Sequence, residues 1–408
     1  MSRRHAEISA LATVTQASNN ILTNAGFSSI TAFNDGIGGC TGALNADRTL
    51  NAYSDLMLTL HSDNHAEFTA LNDQISALQG TALTHAIVSF APSAAVASGT
   101  QQALIAAENT ADNVVFSHLD TLHDGTGMST GDAMGHGLIL WAQPFADNLN
   151  QARKDGVDGY HADSYGVVVG GDVTVASNLR LGIAFGYDNT TVDATGLSSG
   201  NNATINGYQG SIYSTYALQQ FYIDGLGGVK YNTYSVRRPS LGTDARADFD
   251  GLQYSAHTET GYHLDADGLI VTPNASLNYS YITQDPYTET GGLLNNHVKM
   301  GDNGSAISEL GVKAAYPVKT EDGTLTPKVR AGWIHEFGDT QESSTASFIG
   351  GTQSYVVDGA KVDENGYHVG GGLSYELQDG VKLSADADYI GRNTSQETSG
   401  FLHINVPL

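Results

Sequence analysis

From about residue 137 to its end the chain repeats apolar and polar residues with a period of two. Leu181, Ile183, Phe185 and Tyr187 are interleaved with Arg180, Gly182, Ala184, Gly186 and Asp188. Leu252, Tyr254, Ala256, Thr258, Thr260, Tyr262 and Leu264 are interleaved with Gln253, Ser255, His257, Glu259 and His263. Leu325, Pro327, Val329, Ala331, Trp333 and Phe337 stand between Thr326, Lys328, Arg330 and Glu336. In residues 269–281 the odd positions from Leu269 to Tyr281 are apolar or aromatic and the even ones from Thr272 to Ser280 polar, with Ile270 the exception. A strand turns successive side chains to opposite faces, so each of these segments has one apolar face and one polar face. Similar stretches begin near Gly137, Asp163, Ile205, Phe221, Ser305, Gly366, Val381 and Gly400, which makes about twelve strands in all.

The apolar faces must meet either a protein core or lipid. No apolar run approaches the roughly 18 residues of a transmembrane helix, but a membrane barrel keeps only alternate residues in lipid and its mean hydropathy stays low. The connections decide between the two. Short ones at 176–178, 219–220, 265–268, 319–323 and 378–380 alternate with long polar ones at 148–161, 190–203, 236–250, 283–300, 338–362 and 391–399. A soluble sandwich has no reason to sort its loops by length, whereas an outer-membrane barrel has short turns at one rim and long loops at the other. The expected fold is therefore an all-β transmembrane one: a twelve-stranded up-and-down antiparallel outer-membrane β-barrel. Outward tyrosines (Tyr208, Tyr254, Tyr262, Tyr279, Tyr281, Tyr316, Tyr367, Tyr375, Tyr389) and Trp333 would form its interfacial girdles. The 43 acidic and 18 basic residues give a formal charge of −25. Such a surface repels phosphate backbones and excludes nucleic acid as a partner. The single cysteine, Cys40, rules out an intramolecular disulfide and a thiolate metal cluster.

Upstream of the strands the period changes. Residues 1–45 suggest no structure and are read as an unassigned stub, 46–130 as a helical linker and pore helix, and 131–408 as the barrel. Leu50, Tyr53, Met57, Leu60, Phe68, Leu71, Ile75 and Leu78 recur at helical spacing. A second helix is expected from about Gln101 to Leu122, with Leu104, Glu108, Ala111, Val115 and Leu119 as its defining pore-helix positions. At 1.5 Å per residue it would be about 30 Å long, the thickness of a bilayer's hydrocarbon core. Glu108, Asn109, Asp112, Asn113 and Asp120 forbid contact with lipid, so a membrane-crossing helix of this composition must run inside something. Twelve strands about 4.8 Å apart and tilted about 40° close at a backbone radius of about 12 Å. Less the lumen side chains, this leaves a bore of roughly the 10–12 Å diameter of one α-helix. The helix is expected to plug the lumen. Facing it, the polar side of the strands carries Asp172, Arg180, Asp188, Asp224, Lys230, Glu259, Glu309, Lys313, Lys328, Arg330, Glu336, Glu376, Lys382, Asp386 and Asp388. These either solvate and hold the helix or pair laterally between neighbouring strands.

With these features in place, the chain resembles the monomeric (type V) autotransporters over residues 46 to 408. The segment from Ala70 to Leu122 is similar to that family's linker and pore helix. WAQPFADN (141–148), HADSYGVVVGGDV (161–173) and LRLGIAFGY (179–187) look like its first three strands, and GWIHEFGDT (332–340) like its ninth strand and exit loop. The resemblance implies an outer-membrane translocator that is not an enzyme, needs no cofactor and works as a monomer. It would export an N-terminal passenger, largely absent from this chain, to the cell surface and retain the helix as a tether. It further implies delivery by periplasmic chaperones and insertion by the barrel-assembly machinery, which would read the alternating Leu402, Ile404, Val406 and Leu408 of the last strand. A passenger-less or truncated translocator is the resulting expectation. Some members cleave the passenger at an Asn-Asn peptide inside the lumen; this helix has Asn109 and Asn113 but no such pair, so no self-cleavage is expected.

Two other patterns carry chemistry elsewhere. Gly196 to Gly200 matches the nucleophile-elbow pattern G-x-S-x-G, yet it sits in a polar loop, not at a strand-to-helix turn. His61 and His65 have zinc-ligand spacing without a third ligand or a general-base glutamate. The principal rival function is a channel-forming porin that passes small solutes, and behind it a soluble β-sandwich adhesin.

Overall fold

The computed structural model of the chain describes residues 40–123, 138–338 and 341–407. Residues 1–39 of the expected 1–45 stub, the glycine-rich break at 124–137 and Leu408 lie outside the described residues. Twelve long antiparallel strands make one ring: β1 Leu138–Gln151, β2 Tyr160–Ala176, β3 Leu179–Ala194, β4 Asn202–Leu218, β5 Phe221–Ser240, β6 Thr243–Tyr262, β7 Leu269–Gln284, β8 Asn303–Ala315, β9 Gly323–Glu336, β10 Asn365–Leu377, β11 Lys382–Arg392 and β12 Ser395–Pro407. Each pairs with its neighbours in sequence. The ring closes where β1 meets β12, from Ile139 opposite Pro407 to Gln151 opposite Ser395. Closure leaves no long edge strand to pair with another chain.

Alternation along each strand now has a direction. On β3, Leu181, Ile183 and Phe185 point outward and are 45%, 54% and 60% exposed, while Arg180 and Ala184 between them are buried in the lumen. On β7, Leu277 and Tyr279 point outward and Asn278 and Ser280 inward. So many large apolar side chains turned outward on every face of a closed ring require hydrocarbon as their solvent. Leu277→Arg, at mid-strand on this face, should therefore lower the barrel's unfolding free energy by about 2–4 kcal/mol. Urea titration in lipid vesicles measures this, with Ser276→Ala, inward and half-buried on the same strand, as the tolerated control.

Lumen-facing glycines make room for rings. A Cβ at Gly170 would lie 2.4 Å from the Trp141 ring, and one at Gly182 would lie 2.2 Å from that of Tyr213. Only glycine lets those aromatics lie flat against the wall.

The rims differ from the sequence expectation at four connections. Residues 236–250 and 391–399 are not long loops: β5 and β6 run on to a two-residue turn at Leu241 and Gly242, both at positive φ (51° and 81°), and β11 and β12 are separated only by residues 393–394. Positive φ at both turn positions matches the right-handed twist of the hairpin it joins. The expected polar loops 283–300 and 338–362 instead form a second, four-stranded sheet from Tyr287–Thr288, Asn296–Met300, Ser343–Phe348 and Ser354–Asp358. Among the described residues, four helices precede the barrel: α1 Cys40–Asp63, α2 His65–Ser76, α3 Gly80–Val88 and α4 Ala94–His123. The last begins seven residues before the expected Gln101, because Pro92 breaks the chain and the Ser93 hydroxyl accepts the Val96 backbone N–H at 3.3 Å as an N-cap. Asn64 starts α2 in the same way, its side-chain oxygen accepting the Glu67 N–H while its side-chain amide donates to Glu67 Oε2 at 2.7 Å.

Helices α1–α3 lie on the small sheet at the long-loop rim. Tyr53, Leu56 and Met57 of α1, Phe68 and Leu71 of α2, Leu83 of α3 and Phe90 beyond it share one core with Val298, Ala346, Phe348, Tyr355 and Val357 of the sheet. The result is a helix-on-sheet cap over one mouth of the barrel.

Candidate functional site

Helix α4 runs through the lumen from the long-loop rim to the short-turn rim. A Cβ at its Gly99 would touch Val192 and Tyr160 near the long-loop ends of their strands, whereas its Thr121 carbonyl accepts a hydrogen bond from Lys382 Nζ at the short-turn start of β11. Leu104, Glu108, Ala111, Val115 and Leu119 are all buried, and so is nearly every residue around the helix between Ala103 and Leu119. A helix buried on all sides needs a partner for each polar group it carries, and the wall supplies them in tiers.

At the upper tier Ala103, Leu104, Ile105 and Ala106 sit in an apolar collar of Leu149, Tyr160, Val192, Ile205, Tyr234 and Ile282. In the middle, Glu108 Oε1 accepts from Gln209 Nε2 at 2.9 Å, and Lys230 Nζ stands 2.6 Å from Asp188 and 3.8 Å from Glu108 Oε2. Asn278 donates to the Asn109 side chain, and His257 Nδ1 lies 3.7 Å from the Asp112 carboxylate. At the lower tier Val115, Phe116 and Leu119 pack among Trp141, Phe145, Val168, Tyr213 and Phe401. There His118 Nε2 meets Asp172 Oδ2 at 2.6 Å, and Asp172 also receives Arg180 at 2.5 Å and the Tyr213 hydroxyl at 3.0 Å. Lys313 Nζ bridges Asp120 of the helix at 2.9 Å and Glu259 of the wall at 2.7 Å.

The wall residues expected to line the lumen thus divide by role. Asp172, Lys230, Lys313 and Lys382 touch the helix, and Arg180 holds Asp172 in place. Glu259 accepts from both Lys313 and Tyr222. Others pair along the wall. Arg330 is paired with Asp388 and lies 3.5 Å from Asp386; His368 joins Glu309 at 2.9 Å to Asp388 at 2.8 Å; Arg392 binds Glu336 at 2.9 Å; and Glu376 lies 3.2 Å from Lys382. Asp224 is fully buried on the inner face of β5, and Lys328 is half-buried on the inner face of β9. Leu402, Ile404 and Val406 point outward on β12.

Alternation found the wall residues but not the partners on the helix or the neutral groups: His118, Gln209, Tyr213 and Asn278 carry no signal beyond being polar at inward positions. Gly196–Ser198 forms a single 3-10 turn whose Ser198 N–H donates to Asp158, with no strand-to-helix elbow. At the α1–α2 junction His65 stacks on Phe68, and His61 meets both rings edge-on. Among the described residues no cluster of three potential metal ligands occurs.

Beneath the cap, Glu342 is buried, and neither of its carboxylate oxygens has a hydrogen-bond partner. Burial, reinforced by the nearby charge of Asp358, pushes its carboxyl up to about 8. A carboxyl that holds its proton more tightly in the folded state stabilises the cap fully below its unfolded value, near 4.5, and that stability is lost as pH rises through about 8. Amide exchange in Ser343–Phe348 should therefore speed up between about pH 5 and pH 9 beyond its intrinsic rate, and Glu342→Gln should abolish the excess.

Comparison with known proteins places this geometry among relatives. The profile of the Autotransporter beta-domain family matches residues 140–388. Outer membrane protein B of Rickettsia conorii is 25% identical over 415 residues, covering 97% of this chain and 24% of its own length. Outer membrane protein B of Rickettsia prowazekii is 27% identical over 305 residues, covering 70% of this chain and 18% of its own. The chain thus spans about a quarter or less of these relatives. The translocator domain of autotransporter NalP from Neisseria meningitidis superposes with a TM-score of 0.56 at 17% identity, over 74% of this chain and 98% of that one. At that identity the likeness concerns the fold alone.

Proposed function

This chain belongs to the autotransporter β-domain family, and on that premise we propose that its barrel carries whatever segment lies upstream of α4 to the cell surface and then keeps α4 in the lumen as the tether. The domain is a non-enzymatic outer-membrane translocator. What supports the tether reading is the direction of α4: its N-terminal end opens at the long-loop rim beneath the cap, so the chain before it emerges on the side where an outer-membrane barrel faces the exterior. The ion pairs of the middle and lower tiers, buried with α4, give it a seat. The barrel-assembly machinery reading the outward Leu402, Ile404 and Val406, delivery by periplasmic chaperones, and a monomeric working state belong to the same reading.

The test is a reporter epitope placed upstream of residue 1, behind an export signal, in a Gram-negative host. Protease added to intact cells should remove the epitope while the barrel keeps its heat-modifiable gel shift. An epitope protected in intact cells, with the barrel correctly folded, would overturn the proposal.

A further inference from the structure

Where the chain turns from the cap into the lumen, one buried network grips its backbone. Arg238, at the long-loop end of β5, forms a forked pair with Glu289, Nε to Oε1 at 2.8 Å and Nη2 to Oε2 at 2.5 Å. Its Nη1 donates to the carbonyl of Ser89, and its Nη2 also donates to that of Leu294 at 2.7 Å. Asn296 donates its amide to the carbonyl of Phe90 at 3.0 Å, binds Glu289 through its own backbone N–H at 2.8 Å, and is fixed by the Tyr355 hydroxyl at 2.7 Å. All four side chains are at least nine-tenths buried.

Ser89 is the C-cap of α3. The carbonyls held are therefore at the unsatisfied, negative end of that helix, where a guanidinium is the natural partner. Ser89 and Phe90 come four or five residues before α4 enters the lumen at Ala94. The gripping residues come from the barrel itself, from β5 and the 285–302 connection, while the residues gripped belong to the segment that must pass through the bore. Lateral contacts repeat the pattern higher in the cap: the Asn45 side-chain amide donates to the Asp358 carbonyl at 2.6 Å and accepts its N–H at 2.9 Å, and Asp55 accepts the Thr352 N–H at 2.8 Å.

We propose that Arg238, positioned by Glu289 and Asn296, is a latch that seizes the exported chain at Ser89–Phe90 once it has left the lumen and prevents its return. This rests on the translocator reading above. The site's ligand is a pair of backbone carbonyls at a helix end, so it asks nothing of the upstream sequence and works for any passenger. The shared core of α1–α3 and the small sheet forms behind the latch, and a two-layered cap is too wide to retreat through a bore of one helix's diameter, about 10–12 Å.

The experiment compares the full chain with Arg238→Ala and with the double variant Arg238→Met/Glu289→Met. The double variant replaces a buried ion pair with apolar groups of similar volume, a change that keeps such sites folded, yet it cannot hold the carbonyls. Protease applied to the long-loop side of vesicle-inserted protein should cut within residues 89–93 at least about tenfold faster in both variants, as expected for loss of one or more charge-assisted hydrogen bonds. In the double variant the small sheet should stay resistant. Cutting within about twofold of the parent chain in the double variant would overturn the latch. The upstream epitope separates the two ideas: an epitope exported normally together with unchanged cutting refutes the latch alone, and an epitope never exported by the parent chain refutes the translocator reading.

Discussion

Removal of residues 1–122 is expected to raise single-channel conductance roughly tenfold or more, since α4 occupies a bore no wider than one helix. A deletion that stops at residue 93 takes away the helical layer of the cap and leaves α4 in its seat, so it should raise conductance only slightly. The two deletions together separate a plugged translocator from a solute-passing porin, for which the upstream helices would be irrelevant and neither deletion would matter. Planar-bilayer recordings at fixed salt measure both. The size of the effect follows from where α4 lies. Its apolar positions fill the collar at the upper tier and the aromatic cluster at the lower one, and its carboxylates neutralise the lysines that would otherwise line an open channel.

Lys230→Met should be the most damaging single change inside the lumen. Lys230 is 1% exposed, 2.6 Å from Asp188, and faces Glu108 of the helix. Without it two carboxylates confront each other in a site with little water, and removing one partner of such a buried pair costs about 3–5 kcal/mol. The expected readout is faster amide exchange in the middle of α4 and frequent brief openings in bilayer recordings, with the ring of strands intact. Lys382→Met is the contrast. Its wall partner Glu376 is more than a third exposed at the short-turn rim, so screening by water limits that pair to about 1 kcal/mol or less.

Much of this architecture was legible because lipid enforces a strict rule on strands. Outward positions that meet the hydrocarbon are mostly apolar or aromatic, so the period of two survives through the barrel, and the charged residues Asp172, Arg180, Asp224 and Lys230 are buried between them on the inner face. The plug was legible for a related reason: Glu108, Asp112 and Asp120 on a helix of membrane-spanning length leave few places for it. What escaped detection was the sheet layer of the cap. Its strands are two to six residues long, and Val298 and Met300, Ala346 and Phe348, or Tyr355 and Val357 each supply only one or two beats of alternation. The surrounding Gly, Asn and Asp residues read as loop, and the helices that complete the core lie more than two hundred residues away in sequence. The start of α4 was missed because small residues, Ala94 to Ser98, obscure its period. The upper collar was missed because Ile205 and Ile282 are apolar at inward positions, which looks like a defect in the alternation until a helix is seated against them.

The central claim is that one face of every barrel strand is solvated by hydrocarbon and the other by the lumen and its helix, and the chain's two tryptophans are placed to test it. Trp333 points outward and is 49% exposed, whereas Trp141 is 4% exposed in the lumen, its indole N–H donating to the Tyr213 hydroxyl at 2.7 Å. Single-tryptophan variants, Trp141→Phe and Trp333→Phe, should be inserted into vesicles of phospholipids brominated at successive depths along the acyl chain. The account predicts strong bromine quenching of Trp333 at one depth and almost none of Trp141 at any depth; equal quenching of the two, or a Trp333 that no bromine reaches, would contradict it.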